Sequence, residues 1–260
     1  MKQILGYLFK KNRPEAVSGG KEKGVVSNFE YNRELWNRYS KNWDKKKVTV
    51  QNKEIQDAER EEYLKYLGNE WGRVQDVETI VSEFIFPYVD KNSTVAEIGS
   101  GGGRVALKVI DRVKELTCFD ISTEMLNRVQ EVLHPYQNAR FVLMNNPTFD
   151  SIYTNQFDFV YSFDVFLHLD LHMIWKYFLE IRSVLKKNGK VFLHTTNLRT
   201  KNGWAKFAKQ KAYSVEGNFF ISPEVIEIFS EKSGFNIIKR SEPTGNNYYY
   251  DRDFLFVLQK

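Results

Sequence analysis

Residues 95–107, VAEIGSGGGRVAL, decide how this chain folds. A short apolar run ends in Glu97 and breaks into Gly99, Gly101, Gly102 and Gly103 before a new apolar pattern begins. That order reads as strand, tight turn and helix. Glycines suit such a turn because they reach φ > 0 without a Cβ clash and let the backbone approach a ligand closely. The helix that follows turns free N–H groups and the positive end of its dipole toward the crevice, so a nucleotide-like ligand is the expectation.

A second apolar run, LTCFD at 116–120, also ends in a carboxylate. Asp120 lies 17 positions after Gly103, close to the ~20-residue interval at which a βαβ unit presents an acid to ribose hydroxyls. Two strand ends thus point at one ligand. A dinucleotide-binding turn fits less well. Gly101, Gly103 and Ala106 make a G-x-G-x-x-A register that starts too late after the strand, and such a turn has no use for a carboxylate at Glu97.

Taken in order, AEIGSGGG (96–103), CFDIS (118–122) with Met125 and Leu126 behind it, FDFVYSFDVFLHL (157–169) and LKKNGKVFLHTTN (185–197) resemble the class I S-adenosylmethionine-dependent methyltransferases. The resemblance covers about residues 75 to 260 and is strongest from 93 to 196. It implies a Rossmann-like α/β fold: a seven-stranded, mostly parallel sheet with an antiparallel C-terminal hairpin and helices on both faces. It implies S-adenosylmethionine as cofactor, with Glu97 near the methionyl ammonium and Gly99, Ser100, Gly101 and Gly103 beneath the cofactor. Asp120 would hold the ribose hydroxyls, and Ile121 would flank adenine. Asn145 and Asn146 stand where many relatives place an Asp near the adenine amino group, and an amide can still accept that hydrogen bond. Ser162, after the fourth strand, joins the same cofactor set. In related enzymes a helical segment before the first strand covers the cofactor, which places Trp71 and Arg73, in NEWGR, closest to it.

At 260 residues the chain is long enough for one large α/β domain plus an extension. Its content, 42% hydrophobic and 15% aromatic, is that of a globular protein. No apolar run approaches the ~18 residues needed to span a bilayer, and Met1 to Lys11 lacks the length and cleavage site of a signal peptide. The single Cys118 excludes an internal disulfide, and the cytoplasm is the natural setting. Net charge is +5, but 33 acidic residues are interleaved with 38 basic ones, so the dense basic stripe of a nucleic-acid enzyme is missing.

Three regions are expected. Residues 1–28 hold an amphipathic stretch, with weak contact to an anionic membrane surface through 1–13 as its functional version, and then a flexible linker. Residues 29–90 form a helical lid or extension, with Trp36, Tyr39, Trp43, Tyr63, Leu64, Tyr66, Leu67 and Trp71 in its pattern and a steadier helix from Val74 to Phe86. Residues 91–260 form the cofactor-binding domain. Strands are expected near 94–98, 116–120, 140–144, 157–163 and 190–196. A helix spans about 171–187, stopped by Gly189, and another runs from Ser222 and Pro223 to Gly234 before strands at 235–239 and 254–258.

Methyl transfer from a sulfonium is an in-line displacement, so the chain must align the acceptor and, for a hydroxyl, remove its proton. Base candidates are Asp164 and His168 after strand four and His194 at the end of strand five. Imidazole is favoured because it titrates near neutrality. Asn197 is placed to orient the acceptor. His168, Asp170 and His172 make too thin a set for a hard cation, which wants several carboxylates, so no metal is expected. The C-terminal third looks like methyltransferases of sugars, glycans and other small metabolites. Its insertion, 199–220, carries Trp204, Phe207 and Lys206, which suit an anionic, ring-bearing acceptor. An RNA-modifying enzyme and a non-catalytic cofactor-binding subunit are the alternatives, and the oligomeric state is open.

Overall fold

The computed structural model describes residues 27–41, 59–210 and 218–260. Nearly all of the N-terminal amphipathic segment and linker, together with Trp43 and part of the 199–220 insertion, lies outside the described residues. The helices are α1 (Asn28–Lys41), α2 (Arg60–Tyr63), α3 (Val74–Phe84), α4 (Ala106–Val109), α5 (Thr123–Leu133), α6 (Leu171–Val184), α7 (Lys201–Lys209) and α8 (Pro223–Ser233). The strands are β1 (Thr94–Ile98), β2 (Glu115–Asp120), β3 (Ala139–Leu143), β4 (Phe157–Tyr161), β5 (Leu185–Thr196), β6 (Asn236–Arg240) and β7 (Asp253–Gln259).

One seven-stranded sheet runs β3-β2-β1-β4-β5-β7-β6. β1 pairs in parallel with β2 and β4, β2 with β3, and β4 with β5, whereas β7 lies antiparallel between β5 and β6. The chain order reverses between β1 and β4, and a ligand crevice opens outside the carboxyl ends of strands at such a switch point. Alternation sends Val95 to one face and Ala96 to the other. On the first face Val95 and Leu116 pack under Val77, Ile80, Phe84, Val109 and Val129. On the second, Ala96, Val160 and Val191 pack under Phe178, Ile181, Val184 and Ile226.

Several boundaries differ from the sequence reading. The helix expected to run to about 187 ends at Val184, and β5 begins at once with Leu185. The tight bend falls on Asn188 at φ 64°, a position an Asn tolerates, while the register shifts between Phe157 and Phe159. β4 stops at Tyr161 rather than 163, and α3 stops at Phe84, followed by a single 3₁₀ turn that contains Pro87. The helix after the glycines is only four residues long. The C-terminal elements lie where expected: Pro223 opens α8 and Gly234, at φ 74°, closes it.

Two additions cover the carboxyl edge of the sheet. α1 docks on α5, where the Ser122 hydroxyl donates to Asn37 Oδ1 (2.8 Å). The turn at 68–71 is fastened to α1 by Glu70, whose carboxylate accepts from Gly68 N–H (2.9 Å) and from the Tyr39 hydroxyl (3.2 Å). Trp36, Tyr39 and Trp71 pack edge-on and tilted at centroid distances of 5.6, 5.7 and 6.0 Å, giving this cover its own small core.

α7 is placed as tightly. Its N-cap Thr200 accepts from Gly203 N–H (3.0 Å) and donates to the Arg252 carbonyl (3.0 Å). A Cβ on Gly203 would come within 2.0 Å of the Asn197 carbonyl oxygen and 2.7 Å of that of Arg252. Gly203→Ala is therefore expected to destabilise the fold by about 1–3 kcal/mol through overpacking, read as a lower urea midpoint. An unchanged midpoint would mean that α7 is not docked in this way.

Candidate active site

A cavity opens at the carboxyl ends of β1, β2 and β4. It is lined by Glu97 to Gly102, Arg104, Asp120, Ile121, Met144, Phe163, Asp164 and His168, and is covered by Phe29, Asn32 and Trp36 of α1 and by Gly68 and Trp71. The glycine turn does three different things. Gly99, at φ 74°, leaves no room for a Cβ, which would meet Val165 Cγ2 at 2.3 Å. Gly101, at φ 52°, faces open space, so a ligand can lie directly on the backbone there. Gly103 is not part of the cavity lining; it lets the turn close on Val129 and Val132 of α5.

Two acids face the cavity from neighbouring strand ends. Asp120 accepts from Gly101 N–H (3.0 Å) through Oδ2 and from Ser122 N–H (2.9 Å) through Oδ1. Burial pushes its carboxyl up to about 6 despite these bonds. Glu97, almost fully buried, is pushed up to about 8, chiefly by desolvation, with the nearby Asp120 adding to the rise. Burial without a cation between them thus raises both acids, Glu97 the more strongly. Overhead, Asn32 donates to the carbonyls of Asn28 (2.8 Å) and His168 (3.2 Å), while its Oδ1 is buried in the cavity wall without a hydrogen-bond partner. The cavity thus offers a bare backbone cradle, two acids and an unused acceptor, a set suited to a cationic ligand that carries hydroxyl and amino donors.

Behind the wall lies a network of buried charges. The guanidinium of Arg104 bonds Gly68 O (2.7 Å) and pairs with Asp164 Oδ2, lying over the rings of Trp71 and Phe163. Asp164, at φ 59°, also accepts from the Tyr249 hydroxyl (3.2 Å). Burial would raise its carboxyl, but Arg104 and His194 outweigh this and hold it far below the usual carboxylate range. His194 has no exposed surface. Its Nδ1 lies 3.2 Å from Asp164 N–H and 3.3 Å from Asp164 Oδ1, and its Nε2 lies 2.9 Å from Asp253 Oδ2. Burial works to lower its pKa, and the two carboxylates raise it above the usual value. Arg252 closes the far end on Asp253, with Nε at 2.7 and 2.8 Å from its two oxygens.

The structure thus gathers Glu97, Gly99, Ser100, Gly101, Asp120, Ile121, Trp71, Asp164 and His168 in one cavity wall. It separates others from it. Asn145 and Asn146 are exposed beyond the end of β3, and Met144 takes the place in the wall. Ser162 is buried and donates to Ile98 O (2.8 Å). Arg73 points outward to Asp76 (2.8 Å) and the Asn246 carbonyl (2.6 Å). His194 is enclosed between two carboxylates, which leaves neither nitrogen for an acceptor, and Asn197 Oδ1 accepts from Arg199 N–H (2.9 Å) at the start of the insertion. Trp204 is exposed and Lys206 half-buried on α7, outside this cavity. Sequence reading missed Arg104, Phe163, Asn32 and Met144. A large cation directly after a glycine turn was the available signal for Arg104. Among the described residues no group of three His, Cys, Asp or Glu side chains is arranged to hold a metal ion, and no helix is long and apolar enough to cross a membrane.

Residues 95–189 match the family model described as a methyltransferase domain. No curated protein sequence matches the chain at the level required of a relative. Solved structures match its fold. Magnesium protoporphyrin IX methyltransferase from Synechocystis PCC 6803, with bound S-adenosylhomocysteine, is 14% identical, covers 90% of this chain and 100% of its own, and has a TM-score of 0.63. Geranyl diphosphate C-methyltransferase from Streptomyces coelicolor A3(2) is 15% identical, with coverage of 88% and 97% and a TM-score of 0.61. Phosphoethanolamine N-methyltransferase 1 from Haemonchus contortus is 16% identical, with coverage of 89% and 48% and a TM-score of 0.65.

Residues 95–189 therefore carry a methyltransferase domain, in a fold shared with S-adenosylmethionine-dependent methyltransferases. The protein is a methyltransferase with S-adenosylmethionine as its cofactor, and the cavity's donor set fits that cation.

The raised Glu97 pKa gives a pH dependence. A carboxyl whose folded pKa lies above its unfolded value stabilises the fold fully below the ordinary glutamate range and loses that contribution as pH rises through about 8. Ligand-free protein should lose melting temperature between pH 6 and 8.5, and Glu97→Gln should flatten that loss. Parallel curves for the two proteins would contradict the assignment.

Proposed function

We propose that the protein transfers the methyl group to a hydroxyl of a small-molecule or sugar-type acceptor, with His168 as the proton acceptor. The observation that carries this reading is the position of His168. Of the two candidate histidines, it alone stands in the cavity wall, at the carboxyl end of β4, with its ring edge-on to Trp36 (5.3 Å). His194 is enclosed, and Asp164 is too strongly stabilised as an anion to take a proton readily. The solved structures named above include one titled a C-methyltransferase and one an N-methyltransferase, so the fold leaves the acceptor atom open and the choice of oxygen rests on the histidine.

The residues take the following parts. Asp120 would accept from the ribose hydroxyls, and its bonds to Gly101 and Ser122 N–H hold the carboxylate in place for this. Glu97 would meet the cofactor's ammonium as a carboxylate. Gly101 leaves the backbone open to the ligand, and Ile121 and Met144, both in the cavity lining, would hold its flat base. The bound cofactor supplies a methyl group on a positively charged sulfur. α1 and the 68–71 turn exclude water from above, acting as a lid. Arg104, Asp164 and His194 hold the floor rigid. A cytoplasmic setting accords with the single, buried, unpaired Cys118.

Calorimetry tests the cofactor assignment. Asp120→Ala should weaken S-adenosylmethionine and S-adenosylhomocysteine alike, by about 1–3 kcal/mol; unchanged affinity would refute the ribose contact.

The base is tested by methyl transfer from labelled cofactor into fractionated metabolites. His168→Ala should lower turnover about 10²-fold, keep its affinity for S-adenosylhomocysteine and recover activity with added imidazole. His194→Gln should instead lower the melting temperature, because it breaks a buried ion network. Wild-type turnover in His168→Ala would leave proton removal to water.

A further inference from the structure

Lys206 is the one site candidate from the insertion that turns inward. α7 lays Thr200 and Gly203 against the Arg252 carbonyl, and Lys206, three residues beyond Gly203, lies on the same helix face. Its side chain is half-buried, and among the described residues its ammonium has neither a hydrogen bond nor an ion pair. The charges that act on it are those of Arg252, Asp253 and Asp164.

Both of those carboxylates are already engaged. Asp253 serves Arg252 and His194. Asp164 serves Arg104, His194 and the Tyr249 hydroxyl. Among the described residues Arg104, Arg252 and Lys206 thus set three positive charges against two negative ones, before any charge on His194 is counted. Desolvation and the Arg252 charge both lower the Lys206 pKa, as expected of a cation that lacks its counter-ion. Beside it Arg252 Nη1 donates to the Tyr248 hydroxyl (2.6 Å), with the guanidinium 4.4 Å from that ring's centre. The rings of Tyr248 and Trp204 are exposed on the solvent side. Asp164 lines the cavity, whereas Lys206, Arg252 and Tyr248 do not.

We propose that Lys206, backed by Arg252 and the Tyr248 hydroxyl, forms an anion subsite that seats a carboxylate or phosphate group of the acceptor. This rests on the methyl-transfer reading above. The subsite places the anion where the excess positive charge is uncompensated, and the neighbouring aromatic faces suit a ring attached to it. It also distinguishes Lys206 from Lys209, which is exposed on the same helix.

The test uses the full chain saturated with S-adenosylhomocysteine and titrates inorganic phosphate and acetate at constant ionic strength, balanced with chloride, by calorimetry. At least one anion should saturate, and the tighter one names the acceptor's group. Lys206→Met should weaken it at least roughly fivefold, the loss of one near charge at intermediate dielectric. Lys206→Arg should retain binding, and Lys209→Met should match wild type. If Lys206→Met fails to fold, Lys206→Gln replaces it. Absence of saturation by either anion, or equal losses in the Lys206 and Lys209 variants, would overturn the proposal. Failure of the wild-type chain to bind S-adenosylhomocysteine would instead refute the cofactor assignment.

Discussion

The buried pairing of Arg104 with Asp164 is the constraint on which the rest of the site depends. Removing two charges from water costs several kcal/mol per ion unless each finds partners, and here each finds more than one. Arg104 reaches the cover through Gly68 and the sheet through Asp164, while Asp164 reaches β5 through His194 and the C-terminal loop through Tyr249. Asp253 and Arg252 complete the chain on β7 and the residue just before it. Segments distant in sequence are thereby held in one register. The unusual φ of Asp164 is tolerated because so many partners determine where its carboxylate must lie.

This network also divides the labour of the site. On its cavity side stand Glu97 and Asp120, acids that burial keeps protonated more readily than usual. A cationic ligand offsets that cost, so binding and ionisation are coupled. On its other side stand α7 and the loop before β7, which belong to no general requirement of the sheet. A fold of this kind serves many chemistries, so the shared sheet alone does not set the acceptor.

Most of the scaffold was legible because it obeys local rules. The alternation of apolar runs and turns located β1 to β5, and Pro223 and Gly234 marked the ends of α8. Gly99, Gly101 and Asp120 were legible as crevice residues because their geometry is set within neighbouring strand ends and one tight turn. Gly189 misled, because the residue that turned was the neighbouring Asn188, in a helix-to-strand junction shaped by pairing with β4. Asn145 and Asn146 misled because the chain leaves the crevice one residue earlier, after Met144.

Composition, apolar periodicity and the spacing of glycines and acids thus determined the α/β class, the strand ends and the cradle, since each depends on residues near in sequence. Only the tertiary structure decided which histidine faces the cavity, because His168 and His194 both follow strand ends and differ in what surrounds them. β7 runs antiparallel beside β5 and brings Asp253 against His194, while the turn after β4 leaves His168 beneath Trp36. The same holds for Arg104 and Lys206. A cation's role is set by the charges it meets, and those charges come from parts of the chain that no local pattern connects.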